Sequence, residues 1–156
     1  MTSFYGVNNT KQYQNVPSEM IPIGEQAGRL RVAYDKISLS EAIAGDVLHM
    51  MKIPKGARVL DVICKFADLD SNSDGTLDIG WAASSDAVEA ADADGFFNEL
   101  AVHAAAACKG MVANGASVPG HLKKFDAEVE VQIVPGAGAA DATSGDIELV
   151  VLYVIE

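Results

Sequence analysis

The stretch Ala57–Phe66, ARVLDVICKF, places an apolar side chain at every second position. A period of two is typical of a β-strand that packs one face against a core. The face predicted to pack comprises Leu60, Val62, Cys64 and Phe66. Asp61 and Lys65 belong to the opposite face, which we expect to meet water. The strand is preceded by Pro54-Lys55-Gly56, whose proline and glycine suit a tight turn.

The same period recurs along the rest of the chain. RLRVAY, from Arg29, groups Leu30, Val32 and Tyr34 on one face, and TLDIGW, from Thr76, groups Leu77, Ile79 and Trp81. A later run sets Val129, Val131 and Ile133 against Glu128, Glu130 and Gln132. The last run, DIELVVLYVIE, becomes apolar on both faces from Val150. Such a strand lies between two layers or in a subunit contact.

These short strands and turns, without regular alternation of strand and helix, predict a mainly β fold. We expect an antiparallel β-sandwich or jelly-roll-like domain over residues 29–156. Residues 82–110 are rich in alanine, which predicts a short helical insertion. Asp94 would cap a helix that begins near Gly95. Its apolar face would hold Phe96, Phe97, Leu100 and Ala104.

Residues 1–28 show no sustained period and are rich in Asn, Gln, Tyr and Gly. One interpretation is a disordered terminus. The other is an extended N-terminal arm that becomes ordered against a neighbouring molecule, because aromatic residues are sparse in disordered segments yet frequent here. The anchors of such an arm would be Phe4, Tyr5, Tyr13, Met20, Ile21 and Ile23.

Bulk composition limits the function. The chain has 156 residues, which suits one domain, and a formal net charge of −11, which argues against binding to nucleic acid. It has neither an apolar stretch long enough to span a bilayer nor the features of a signal peptide. We therefore expect a soluble protein made in a cytoplasm, with no membrane partner. Cys64 and Cys108 are expected to be buried free thiols.

The loop DLDSNSDGTLDIGW, residues 68–81, begins like a calcium-binding loop. Asp70, Asn72 and Asp74 supply oxygen ligands at alternate positions. The glutamate that should close the coordination shell is replaced by Trp81, and the flanking segments have the period of strands rather than helices. A polar hairpin loop is the favoured interpretation. A weak surface ion on these three residues remains the alternative.

No catalytic or cofactor-binding pattern is recognisable in the sequence. His49, His103 and His121 lack the spacing of metal ligands. The sequence has no nucleophile elbow and no phosphate-binding loop. We therefore expect a protein that is not an enzyme and needs no cofactor.

One longer pattern resembles a known family. The run Lys52–Val62 (KIPKGARVLDV), Phe66–Leu69 (FADL) and Gly75–Trp81 (GTLDIGW) is similar to a family of small virion structural proteins of tailed bacteriophages. The N-terminal Phe-Tyr-Gly, the Gly28-Arg29-x-Arg31-Val32 start of the first strand, and the last strand also resemble that family. The resemblance implies a capsid decoration, or cement, protein of β-sandwich type that sits on the capsid surface as an oligomer, often a trimer.

From this resemblance we expect a protein of the virion surface, assembled in the host cytoplasm, that bridges major capsid protein subunits as a homotrimer. The expected contact residues are the arm anchors Phe4, Tyr5, Tyr13 and Ile21 and the face formed by Val150, Leu152 and Val154. The alternative is a β-sandwich module that binds calcium or carbohydrate and is displayed on a virion.

Overall fold

The computed structural model describes residues 28–42, 46–69, 75–103, 105–114, 118–136 and 143–156. Within them lie eight strands and one helix. The strands are β1 (Arg31–Ala42), β2 (Leu48–Ile53), β3 (Ala57–Phe66), β4 (Thr76–Trp81), β5 (Asp92–Ala101), β6 (Ala107–Gly110), β7 (Val129–Pro135) and β8 (Thr143–Ile155). The helix, α1 (Met111–Asn114), follows β6 directly. It has four residues, and none of the helical structure described could cross a membrane.

The strands form two four-stranded sheets in the orders β1-β8-β3-β6 and β2-β7-β4-β5. All paired strands are antiparallel. The chain crosses from one sheet to the other at every connection except that between β4 and β5. Two stacked four-stranded sheets joined in this way make a jelly roll. The predicted fold class, an antiparallel β-sandwich of jelly-roll type, is therefore confirmed.

The core lies between the two sheets and is built from the alternating faces that the sequence predicts. Leu77, Ile79 and Trp81 of β4 are buried. So are Val129, Val131 and Ile133 of β7, and facing them are Ile147, Leu149 and Val151 of β8. Both cysteines are free. Burial raises the pKa of the Cys64 thiol to about 12, whereas Cys108 is exposed, contrary to expectation.

The turn between β2 and β3 has the predicted form. The Ala57 N–H donates to the Pro54 carbonyl at 3.2 Å, and Gly56 has φ +82°. Farther along β3 a bulge changes the face that packs, because pairing with β8 shifts between Val59 and Asp61. The prediction that Leu60 shares the buried face is wrong, since the bulge makes it half-buried.

The predicted helical insertion at residues 82–110 is wrong in position and length. Residues Asp92–Ala101 and Ala107–Gly110 are strands. Asp94 therefore caps no helix. Phe97 lies opposite Ile79 and Leu100 opposite Leu77. The apolar residues of this segment therefore belong to a strand of the second sheet and not to the apolar side of a helix. Pairing and burial outweigh the helix propensity of alanine here.

Trp81 closes the β4–β5 end of the core. Its ring centroid lies 5.0 Å from that of Phe96 and 5.1 Å from that of Phe125, and its Nε1–H donates to the Ala90 carbonyl at 3.0 Å. Lys123 Nζ lies 5.4 Å from the Trp81 ring centroid, at cation–π distance. The β4–β5 connection is thereby tied to the segment that precedes β7.

Lys123 also forms an ion pair with Glu89 at 2.9 Å. Glu89 is buried, and desolvation alone would raise the pKa of its carboxyl group. The hydrogen bond from the Asp126 N–H and the interaction with Lys123 outweigh that effect and hold the pKa below its usual value. The carboxylate therefore stays charged and holds the two connections together.

Gly95 tests this packing, because a Cβ there would overlap the Trp81 ring. We expect Gly95→Ala to lower the free energy of unfolding by about 1–3 kcal/mol, the usual cost of overpacking a core. Urea unfolding of purified protein measures the change. Ala93→Ser, at an exposed position of the same strand, is the control and should leave the midpoint almost unchanged. Equal midpoints for the two variants would contradict the packing described.

Candidate interaction surface

The outer face of the first sheet carries a row of exposed apolar side chains. Leu30, Val32 and Tyr34 are 59, 58 and 57% exposed. Val32 and Tyr34 share one side of β1, and Leu30, just before the strand begins, continues the same spacing of two residues. We call these three residues the β1 stripe. Isolated exposed apolar residues are ordinary on protein surfaces, whereas neighbouring ones form an apolar patch.

Two of the predicted contact residues extend this row across the sheet. Val150 of β8 lies directly opposite Tyr34 on one side and Ile63 on the other. Leu152 lies opposite Val32. Directly opposed residues of neighbouring strands share a face. Val150, Leu152 and Ile63 are half-buried, and together with the β1 stripe they form one apolar patch.

Val154, the third residue predicted for this face, does not belong to the patch. It is only 3% exposed. Arg58, directly across from it, donates to the Glu156 carboxylate at 2.8 and 2.9 Å and to the Leu122 carbonyl at 2.9 Å. With these groups beside it and so little of its surface accessible, Val154 offers almost no area to a partner. The expected contact at this position is corrected accordingly.

A polar border adjoins the patch farther along the same strands. Lys36 pairs with Asp146 at 2.6 Å and Lys65 with Glu148 at 2.8 Å. The hydrogen bond from Lys36 is the main cause of the lowered pKa of Asp146, and that from Lys65 of the lowered pKa of Glu148. These groups stay charged at neutral pH. An apolar centre beside a polar rim is the usual anatomy of a protein interface.

The outer face of the second sheet is polar by contrast. His49 Nδ1 lies 3.0 Å from a Glu130 carboxylate oxygen, and Lys52 pairs with Glu128 at 2.9 Å. Gln132 continues this polar row along β7. The two outer faces of the sandwich therefore differ in chemistry, with the apolar patch on one of them.

The β1 stripe also lies at the edge of its sheet. β1 pairs with β8 on one side and, within the described part of the chain, with no strand on the other. No backbone hydrogen bond from another described residue reaches the N–H and C=O groups on that outer side. An exposed edge that carries apolar side chains is the kind of strand that other segments join.

Other residues predicted from the sequence lie outside the described residues. They are the arm anchors Phe4, Tyr5, Tyr13 and Ile21 and the possible ion ligands Asp70, Asn72 and Asp74. Across the described ranges, no group of three or more His, Cys, Asp or Glu side chains could hold a metal ion. The structure thus places Val150 and Leu152 in one apolar patch, while the arm and the ion site remain predictions.

Comparison with known proteins finds matches among solved structures. No protein-family model and no curated protein sequence matches the chain. A chain in the capsid of Ralstonia phage GP4 has a TM-score of 0.67 at 23% identity, covering 90% of this chain and 93% of that one. One in the cyanophage Pam1 capsid asymmetric unit has a TM-score of 0.61 at 22% identity, covering 87 and 89%.

A third match is a chain in the acid-stable capsid of the Helicobacter pylori bacteriophage KHP30. Its TM-score is 0.54 at 15% identity, covering 81% of this chain and 87% of that one. At these identities the matches establish a shared fold. The jelly roll described above is therefore one that occurs in phage capsids.

The orientation of the β1 stripe can be tested with two matched substitutions. Val32 is exposed on the outer face, whereas Val62 is fully buried on the inner face of the same sheet. We expect Val32→Thr to change the free energy of unfolding by less than about 0.5 kcal/mol. Val62→Thr should cost about 1–3 kcal/mol, because it buries a hydroxyl group in an apolar core. Urea unfolding at low protein concentration measures both, and equal costs would contradict this orientation.

Proposed function

We propose that this chain is a non-enzymatic virion structural protein that decorates the outer surface of a tailed-phage head. It stabilises the shell by bridging neighbouring major capsid protein subunits, after assembly in the host cytoplasm. The observation that carries the proposal is the jelly roll with one apolar and one polar outer face. The fold shared with chains of three phage capsids supports it.

The difference between the two faces suits a protein bound to a surface. The patch around Val32 and Val150 provides the desolvated side of such a contact, with the ion pairs of Lys36 and Lys65 at its margin. The row of His49, Glu130 and Gln132 provides the side that stays hydrated. A net charge of −11 keeps such a particle soluble when many copies lie close together.

The patch is too small to hold the protein on a shell alone. Its three exposed side chains offer on the order of 300 Å², whereas a standard interface buries about 800 Å² per partner. The proposed arm supplies the remainder through Phe4, Tyr5 and Tyr13, whose large rings bury much area for little lost side-chain freedom. Repetition on a symmetric lattice then multiplies a modest affinity.

We propose in addition that the protein acts as a homotrimer, the state that its sequence resemblance implies. In a ring of three copies each interface joins two different surfaces of the chain, so other surfaces can join the copies while the apolar patch contacts the shell.

Co-sedimentation with emptied phage heads that lack the protein tests the decoration role. Deletion of residues 1–15 removes Phe4, Tyr5 and Tyr13 but keeps the whole jelly roll and the residues that directly precede β1 in the sequence. We expect the truncated chain to keep its melting temperature and to bind heads at least ten-fold more weakly, because the aromatic contact area is lost.

Leu152→Asp places a charge in the patch and should weaken binding to a similar degree. Gln132→Glu, on the polar face, is the matched control and should bind like the parent chain. Unchanged co-sedimentation of both the truncated chain and Leu152→Asp would overturn the proposal.

A further inference from the structure

We propose that the partner of the apolar patch presents a basic side chain, a lysine or an arginine, to the carboxylate of Asp61, and that this partner is the major capsid protein of the shell. The inference deepens the proposed function, on which it rests, by naming the chemistry of the surface that the patch contacts. It follows from one acidic residue that lies among apolar ones on the outer face of the first sheet.

The bulge in β3 places Asp61 on that outer face. Val62 is fully buried, so its two neighbours in the chain point to the other side of the sheet. After the bulge, Asp61 lies directly opposite Leu152, and Ile63 lies directly opposite Val150. Directly opposed residues share a face. The Asp61 carboxylate therefore belongs to the same surface as these three residues of the apolar patch.

An apolar residue also adjoins Asp61 on the side away from β8. The Val112 N–H donates to Asp61 Oδ1 at 3.2 Å, which holds the start of α1 beside the carboxylate. Val112 itself is 48% exposed. Asp61 is half-buried, with Leu152 on one side and Val112 on the other. A partner that covers the apolar patch at this point also covers the carboxylate.

Only one oxygen of the Asp61 carboxylate has a partner among the described groups. Oδ1 accepts the N–H groups of Val62 at 2.9 Å and of Val112 at 3.2 Å. Among the residues that the structure describes, none donates a hydrogen bond to Oδ2. No described lysine, arginine or histidine forms an ion pair with this carboxylate either. Oδ2 is therefore free to accept a hydrogen bond from another molecule.

Three basic residues of the same sheet are already paired with carboxylates. The pairs are Lys36 with Asp146, Lys65 with Glu148, and Arg58 with Glu156. If one of these cations turned to Asp61, its present acidic partner would lose its counter-charge. A cation for Asp61 therefore has to come from another molecule.

Covering the patch makes this cation necessary. In the free protein, water hydrates the exposed part of the Asp61 carboxylate. A partner that covers the patch displaces that water, and an unpaired charge in an apolar contact is strongly unfavourable. A basic side chain on the partner removes this cost and adds a charge-assisted hydrogen bond. The partner surface that fits the patch is therefore apolar with a basic group opposite Asp61.

Charge also favours the shell over a second copy of this chain as the partner. Each copy carries 22 acidic and 11 basic residues, a formal net charge of −11, so copies repel one another on average. A two-fold contact through the patch would bring the same surface of both copies together. Each copy would then contribute a carboxylate at position 61 that lacks a cation.

The direction of the effect of Asp61→Asn on binding to emptied heads tests the inference. Asparagine keeps an oxygen that can accept the N–H groups of Val62 and Val112, so the fold should be retained, but it removes the charge. If a cation faces Asp61, binding should weaken about ten- to hundred-fold, mainly through faster dissociation. Without such a cation the substitution removes a desolvation cost, so equal or tighter binding would overturn the inference. Interferometry on immobilised heads measures the affinity and both rate constants.

Asp78→Asn is the matched control. Asp78 also accepts a backbone N–H, that of Glu99 at 2.7 Å, but it belongs to β4 of the second sheet. The substitution makes the same change in net charge and should bind like the parent chain. If Asp61→Asn melts at a lower temperature than the parent chain, Asp61→Ser provides a second test, because its hydroxyl group also accepts an N–H.

Two further outcomes separate this inference from its alternatives. Light scattering should give the same oligomer mass for the parent chain and Asp61→Asn; a smaller oligomer would assign Asp61 to a contact between copies and overturn the choice of partner. Weaker binding of Leu152→Asp with parental binding of Asp61→Asn would overturn this inference and leave the proposed function in place. Unchanged binding of Leu152→Asp and of the truncated chain would overturn the proposed function, and this inference with it.

Discussion

Strand β8 is hydrogen-bonded to β1 on one side and to β3 on the other, and this central position determines the role of each face of the molecule. Its odd-numbered residues Ile147, Leu149 and Val151 fill the core. The even-numbered Val150 and Leu152 lie outside, level with the residues of the β1 stripe. The pleat that buries one set of side chains therefore displays the other set. An apolar outer surface follows directly from a last strand that is apolar on both faces.

Much of this architecture could be predicted from local pattern. The turn at Pro54–Gly56 and the buried faces of β4 and β7 follow from a period of two and from turn chemistry, both of which act over a few residues. Whether a given face of a strand points into the core or into solvent is not determined by the local sequence. RLRVAY shows that Leu30, Val32 and Tyr34 stay together, but only the register of β1 against β8 puts them on the outer face.

The wrong predictions have the same origin. Alanine-rich sequence favours a helix, yet Phe97 and Leu100 gain more by pairing with β4 than a short exposed helix would return. Leu60 leaves the buried face because of a bulge against β8, a partner more than ninety residues away. Val154 is covered beside an ion pair that only the tertiary fold assembles. Each error reflects a contact between segments distant in sequence.

The central claim is that the apolar patch on the outer face of β1 and β8 becomes covered when the protein assembles. Hydrogen–deuterium exchange of the head-bound chain against the free chain measures this most directly. We predict that the amides of β1 gain protection on assembly, whereas the amides of β7, beneath the polar face, do not change. Protection confined to β7 and β2, with β1 exchanging as in the free chain, would contradict this account.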